Sequence, residues 1–170
     1  VVASALIGLL GALVLPQQAV AIYCGSFVGM SSPALLTNCR EILLAGAVAG
    51  VVYNLASGTL DGFGGKLGTT AFAGTVVTGM GYGREFAITE VPSLTVALQI
   101  LFFATAAALA TYWLSVSLEH GPVIGSSVVG LVGGLLLPSL EPEAGPLLAV
   151  VIFCASFTGM SGLGRIPGYL

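Results

Sequence analysis

Long apolar runs, broken at short intervals by small clusters of charge, proline or glycine, make up nearly the whole chain. No charged residue precedes Arg40, and Pro16-Gln17-Gln18 divides that first stretch into two predicted helices, about 1–15 and 18–36. Arg40 and Glu41 introduce a third over about 42–56, followed by a glycine-rich loop, 57–68, that carries Asp61 and Lys66. A fourth helix is expected over about 67–82. Arg84, Glu85 and Glu90 separate it from a fifth, about 92–117, which opens at a suitable N-cap, Ser93. Glu119-His120-Gly121-Pro122 ends that helix, and a sixth is predicted over about 123–138, closed by Pro138. After Glu141-Pro142-Glu143 a seventh is expected over about 145–161.

The runs are continuously apolar with regular glycines, whereas the strands of a membrane barrel alternate in steps of two. Only helices and closed barrels satisfy every backbone group in lipid, so the pattern predicts helices. The fifth reaches the roughly 20 residues that a bilayer core requires. Several others are short, which fits either broken and re-entrant segments lining a cavity or boundaries drawn a few residues too tightly.

Composition turns this pattern into a fold class. Charged residues make up 6% of the chain and apolar ones 56%, whereas an ordinary soluble domain carries about a quarter charged residues. There is too little polar surface to cover a soluble globule, but apolar side chains can face a lipid bilayer freely. The expectation is an all-α integral membrane protein forming a single domain over 1–170, in a membrane the residues do not identify. A net charge of −3 arises from few groups, and no basic run is available to neutralise nucleic-acid phosphates. The three cysteines, Cys24, Cys39 and Cys154, do not form a disulfide framework. The apolar start, Val1-Val2-Ala3-Ser4, lacks the charged region of a signal peptide and reads as part of the first helix.

Self-similarity is the most informative feature. The block from Ser4 to Pro16 (SALIGLLGALVLP) returns from Ser126 to Pro138 (SSVVGLVGGLLLP), with both glycines, three leucines and the proline in register. The block from Tyr23 to Ser31 (YCGSFVGMS) returns from Phe153 to Ser161 (FCASFTGMS). A weaker copy ends the fourth helix at Thr78-Gly79-Met80, and all three methionines, Met30, Met80 and Met160, follow a glycine at such an end. Three helical hairpins are therefore expected, 1–36, 42–82 and 123–161, with the helix 92–117 inserted between the second and third. A shift of five spans separates the first helix from its counterpart, the sixth. An odd shift inverts the copy, the inverted-topology arrangement found in many secondary transporters. The positive-inside rule does not orient the chain: Arg40 and Arg84 fall on one side, Lys66 and Arg165 on the other.

Candidate chemistry is sparse. The pairs Gly25/Gly29, Gly46/Gly50 and Gly130/Gly134 make flat faces for close helix packing, or the wall of a narrow pathway. The loop Asp61-Gly62-Phe63-Gly64-Gly65-Lys66-Leu67-Gly68-Thr69-Thr70 places glycine N–H groups and a lysine at a helix start, as an anion site does; it is not a P-loop, and a plain turn with a solvated Asp–Lys pair is the alternative. Glu119-His120 and Glu141-Pro142-Glu143 fall at helix ends, where interfacial water solvates them. Cys24/Met30 and Cys154/Met160 offer soft sulfur, but six residues span more than one helical face, so packing accounts for them. Trp113 and Tyr112 suit interfacial anchors.

No metal site, cofactor motif or catalytic constellation is evident, so an enzyme is not expected. The expected function is a small channel or secondary transporter for an ion or small polar solute. Its pathway is expected between hairpins 1–36 and 123–161, with Asp61, Lys66, Thr69, Ser26 and Ser156 as substrate-binding residues. The alternative is a non-transporting subunit that scaffolds a larger membrane complex. Beyond lipid, the expected neighbours are a second copy of the chain or a partner membrane subunit.

Overall fold

The structure is a computed structural model that describes residues 1–86 and 91–162; Glu90 and Arg165, used above, lie outside them. Among the described residues there are seven α-helices and no strand: α1 (Val2–Val14), α2 (Ala19–Val28), α3 (Cys39–Leu55), α4 (Lys66–Gly81), α5 (Leu94–Tyr112), α6 (Pro122–Leu140) and α7 (Gly145–Ser156). α5 continues into a π-helical turn, Trp113–Ser117, and a 3-10 turn, Thr158–Met160, follows α7. Two helices are long and apolar enough to cross a membrane, Leu94–Ser117 with 24 residues and Pro122–Leu140 with 19.

Where helix ends depart from expectation, local chemistry explains the difference. α2 stops at Val28 and not near 36, because Ser32-Pro33 disfavours helical backbone before the proline; the chain turns there, with the Ser31 hydroxyl donating to the Val28 carbonyl at 2.6 Å. α3 begins at Cys39 because Asn38 caps it, its Oδ1 accepting the Glu41 N–H at 3.0 Å. Pro138 does not close α6; the helix runs on to Leu140. In the last turn a proline removes a single intrahelical bond, and the carbonyl its ring crowds belongs to Gly134. α7 ends at Ser156, five residues short of the predicted 161.

Packing is organised around glycine. A Cβ added at Gly8 would lie 2.3 Å from the Tyr23 ring, and one at Gly130 would lie 2.3 Å from the Phe153 ring. One turn further along, Gly11 receives Ile22 and Gly133 receives Ile152. In both helical pairs, α1 with α2 and α6 with α7, a bulky side chain of the second helix thus fills the gap left by a glycine of the first. α1 and α6 also touch each other: Val1 and Val2 lie against Gly134, Ala5 against Gly130, and Ser127 against Gly8. The numbers rise on one helix as they fall on the other, so α1 and α6 run antiparallel. The exchange is reciprocal, because Ala5 and Ser127 hold matching positions in the two sequence blocks, as do Gly8 and Gly130. Tyr23, Phe27, Phe153 and Phe157 stack edge to face and face to face at the centre, with centroids 4.3–6.1 Å apart.

The other helices flank this nucleus. α3 and α4 pair through Gly74, where a Cβ would lie 2.5 Å from the Ala45 carbonyl oxygen. α5 lies along α7 and α6, its buried Thr111 seated between Gly125 and Gly159. Side chains at Gly8 and Gly130 must displace an aromatic ring and at the same time the facing helix. Gly8→Leu and Gly130→Leu should therefore each destabilise the protein by about 1–3 kcal/mol or more. Gly46→Ala, where no neighbour lies within 4 Å, should be neutral or slightly stabilising. Thermal unfolding of the three variants checks the contrast, and equal losses for all three would contradict the packing described.

Candidate functional site

The glycine-rich loop is built as a dock. Gly58 and Gly62 adopt φ +81° and Leu60 adopts φ +58°, so the chain coils tightly before α4. Gly64 fits so closely against the end of α7 that a Cβ would lie 1.7 Å from the Phe157 carbonyl oxygen. Its N–H donates to Ser161 Oγ at 3.0 Å, and the Gly162 N–H donates to the Gly62 carbonyl at 2.9 Å. Lys66 is ion-paired with Asp61, its Nζ 5.5 Å from the centroid of the Tyr53 ring. A hollow of about 220 Å³ beside the pair is lined by Val20, Tyr53, Asp61, Lys66, Pro122 and Met160. The lysine charge is thus already balanced, and the Gly64 N–H is engaged by protein. Thr69 is exposed and donates to the Gly65 carbonyl at 3.0 Å. Its neighbour Thr70 is the buried one, meeting Cys24 Sγ at 3.1 Å.

Ser26 and Ser156 are placed alike. Each hydroxyl donates to the carbonyl three residues back, Ser26 to Tyr23 at 2.7 Å and Ser156 to Phe153 at 2.6 Å. Each also meets a serine on the facing helix of its own pair: Ser4 Oγ lies 2.5 Å from Ser26 Oγ, and Ser126 Oγ lies 2.7 Å from Ser156 Oγ. The Tyr23 hydroxyl joins the second pair, 2.9 Å from Ser126 Oγ, and so links α2 to α6. Such bonds satisfy hydroxyls that would otherwise each cost about 1–3 kcal/mol when buried.

The surroundings of the two pairs differ. Ser156 and Ser126 are wholly buried and Ser4 nearly so, whereas Ser26 is partly exposed at a cleft of about 750 Å³ between α1, α2 and α3. That cleft is lined by small and apolar residues with the Ser4 and Ser26 hydroxyls, and no charged side chain lines it. The structure therefore gives Ser26 and Ser156 equivalent positions within the two helical pairs. The Asp61–Lys66 pair stands apart from them, beside Tyr53 and Met160.

One polar centre escaped the sequence reading. Glu41, read there only as a break in an apolar run, has a side chain just 5% exposed. Its carboxylate accepts the Thr37 N–H at 2.7 Å, Asn38 Nδ2 at 2.9 Å and Arg84 Nη2 at 3.2 Å. The ion pair ties the start of α3 to the end of α4. The signal was present in Asn38-Cys39-Arg40-Glu41, a capping-box pattern that turns the glutamate back toward the cap. No three His, Cys, Asp or Glu side chains among the described residues are grouped to hold a metal ion. Compared with known proteins, the chain matches no family model, no curated protein and no solved structure.

The Thr37 backbone N–H, followed by the Thr37 hydroxyl and the Arg84 guanidinium, holds the Glu41 carboxyl below its ordinary range, against the opposing effect of burial. A carboxyl depressed in the folded state adds stability above its unfolded pKa of about 4.3 and loses it as pH falls through the folded value. The melting temperature should therefore drop on acidification below about pH 4.3, with a shallower drop for Glu41→Gln. That variant and Arg84→Ala should also melt earlier at pH 7. Unfolding followed from pH 7 to pH 3 tests this, and a wild-type-like curve for Glu41→Gln would remove the assigned role.

Proposed function

We propose that the chain is an integral membrane protein that forms a small channel or secondary transporter for an ion or small polar solute, built on an inverted repeat of the hairpins 1–36 and 123–161. The observation that carries this reading is the antiparallel, reciprocal packing of α1 on α6 through matching glycines. Two equivalent helices that pack antiparallel are related by a twofold axis perpendicular to them. With both helices across a bilayer, that axis lies in the membrane plane, as in inverted-repeat transporters. This route to inversion does not depend on counting spans, so short or re-entrant segments leave it intact.

Support for the bilayer comes from the outer surface. Leu13, Leu43, Phe72, Phe102, Leu109 and Leu140 are each more than 60% exposed, a density of large apolar groups that soluble monomers rarely display. α1, α2 and α7 have 13, 10 and 12 residues, or about 15–20 Å of helix. A hydrocarbon core is about 30 Å thick, and short helices of this kind line cavities in transporters. Between them lie the hydroxyls of Ser4, Ser26, Tyr23, Ser126 and Ser156, the polar groups a pathway would use. The cleft beside Gly25, Gly29 and Gly46 favours a second reading, a non-transporting subunit whose partner would fill it with a helix.

Flux of ions and small solutes into proteoliposomes should exceed that into empty vesicles, and Ser26→Leu should reduce it. Asp61→Ala with Lys66→Ala reports on the loop: unchanged flux would leave it a structural dock. Single cysteines at Gln17 and Glu141 should label from opposite faces of the bilayer. Labelling from the same face would end the inverted-repeat reading, and a silent screen with folded protein would turn the conclusion to the subunit.

A further inference from the structure

The two serine pairs hold equivalent positions, yet Ser26 of the first is partly exposed at a cleft, with Ser4 buried behind it, while both serines of the second are sealed. Beside the closed pair α5 packs directly on the neighbouring glycines: Gly125 and Gly159 lie against its backbone at Thr111 and Ala108, and Ser126 and Ser156 are wholly buried. The residues that match Gly125 and Gly159 in the first hairpin are Ala3 and Gly29. Both line the 750 Å³ cleft where Ser26 is reached. The cleft is thus the counterpart of the groove that α5 fills, and across it α3 stands back, with no atom within 4 Å of a Cβ built at Gly46.

Antiparallel α1 and α6 put the pairs at opposite ends of the nucleus. Ala5 faces Gly130 and Gly8 faces Ser127, so Ser126 sits near the level of Leu9, about five residues or 7–8 Å along the axis from Ser4. Ser4 and Ser26 lie toward the end that carries the Glu141 turn, and Ser126 and Ser156 toward the end that carries Gln17. Between them the Tyr23 and Phe153 rings close the centre, and the Tyr23 hydroxyl reaches from one hairpin to the serine of the other.

We infer that Ser4–Ser26 and Ser126–Ser156 are two half-sites of one pathway, exposed alternately on opposite faces, and that they take an uncharged solute bonded through hydroxyls. The inference rests on the transport reading above. In the state described here the Ser26 half-site is open. In the opposite state α3 closes on Gly25 and Gly29 while α5 withdraws from Gly125 and Gly159. Interfaces packed on glycine suit such a switch, since close-packed contacts favour discrete arrangements over gradual deformation. The solute class follows from the lining: hydroxyls donate and accept hydrogen bonds, while ion pathways inside membranes are marked by ionisable side chains or rings of carbonyl oxygens, and the cleft carries no ionisable side chain.

The test uses the full chain with Cys24, Cys39 and Cys154 replaced by serine, reconstituted in vesicles, with glycerol and urea as neutral probes and sodium and chloride as charged ones. Ser26→Cys should react with a membrane-impermeant maleimide from the face on which a cysteine at Glu141 reacts. Ser156→Cys should react from the face that labels a cysteine at Gln17. In the double variant, a bulky maleimide at position 26 should slow labelling at 156 by roughly tenfold or more, within the range of coupled two-state elements, and should stop neutral-solute flux. Should Ser156→Cys fail to fold, Ser126→Cys reports on the same half-site. Neutral flux without labelling at 156 or 126, or labelling of both half-sites from one face, overturns alternating exposure. Flux confined to sodium or chloride overturns the solute class. Absence of all flux from folded, correctly inserted protein removes the transport reading itself, a result distinct from the other failures.

Discussion

The interaction on which the structure depends is the seating of an aromatic ring in the gap left by a glycine, Tyr23 on Gly8 and Phe153 on Gly130. Close packing of this kind holds helices together in any surroundings; in the bilayer proposed above it would be the main source of association, because lipid chains are as apolar as the helices themselves. A glycine gives a neighbouring ring direct access to the helix backbone and supplies that closeness. Both glycines also face the opposite hairpin, Gly8 at Ser127 and Gly130 at Ala5. Each position therefore sets two contacts at once, one within its helical pair and one between pairs. The orientation of α2 and α7 and the closure of the aromatic cluster follow from those contacts.

The Ser26 and Ser156 hydroxyls inside this nucleus are of a kind that costs little. Ser26 and Ser156 return a hydrogen bond to their own helix and need only one outside partner. Charge is kept to the ends. Glu41 with Arg84 holds α3 to α4, and Lys66 with Asp61 braces the loop that docks on the end of α7. This division would suit the proposed bilayer, where an unpaired charge at the centre costs at least about 2.5–3.5 kcal/mol, whereas a hydroxyl bonded to a carbonyl is tolerated. The described part of the chain accordingly has a neutral hydroxyl-bearing middle between charged fastenings.

Much of this arrangement was legible in the residues. Apolar runs and their punctuation located seven helices to within a few residues at most ends, because breaks such as Pro16-Gln17-Gln18 act locally. Aligned blocks singled out Gly8 with Gly130 and Ser26 with Ser156, which the structure places in equivalent contacts. What escaped depends on partners far away along the chain. Thr69 and Thr70 differ by one residue, about 100° around the helix, and only the position of Cys24 decides that Thr70 is buried. Glu41 reads as no more than a break in an apolar run until Arg84, 43 residues on, is brought against it. The loop at Gly64 reads as an anion cradle until Ser161 takes its N–H. The stop at Ser32-Pro33 was local and readable, but the continuity of the apolar run obscured it.

The two hairpins share a pattern but not their surroundings, and the difference lies in where the small residues sit. On α6 the receiving helix carries the glycine: a Cβ at Gly125 would come within 3.1 Å of the Thr111 carbonyl oxygen, so α5 can lie directly on it. The matching residue on α1 is Ala3, whose methyl group holds an approaching helix further away. On that side the glycine is on the approaching helix, where Gly46 of α3 has open space around it and faces the same cleft. Close approach is therefore sterically available on both sides of the nucleus, through a glycine contributed by opposite partners. Only one side uses it in this structure. Alanine at position 46 would favour the helix by about 1 kcal/mol, so the glycine there costs helix stability and leaves the α3 wall of the cleft flat.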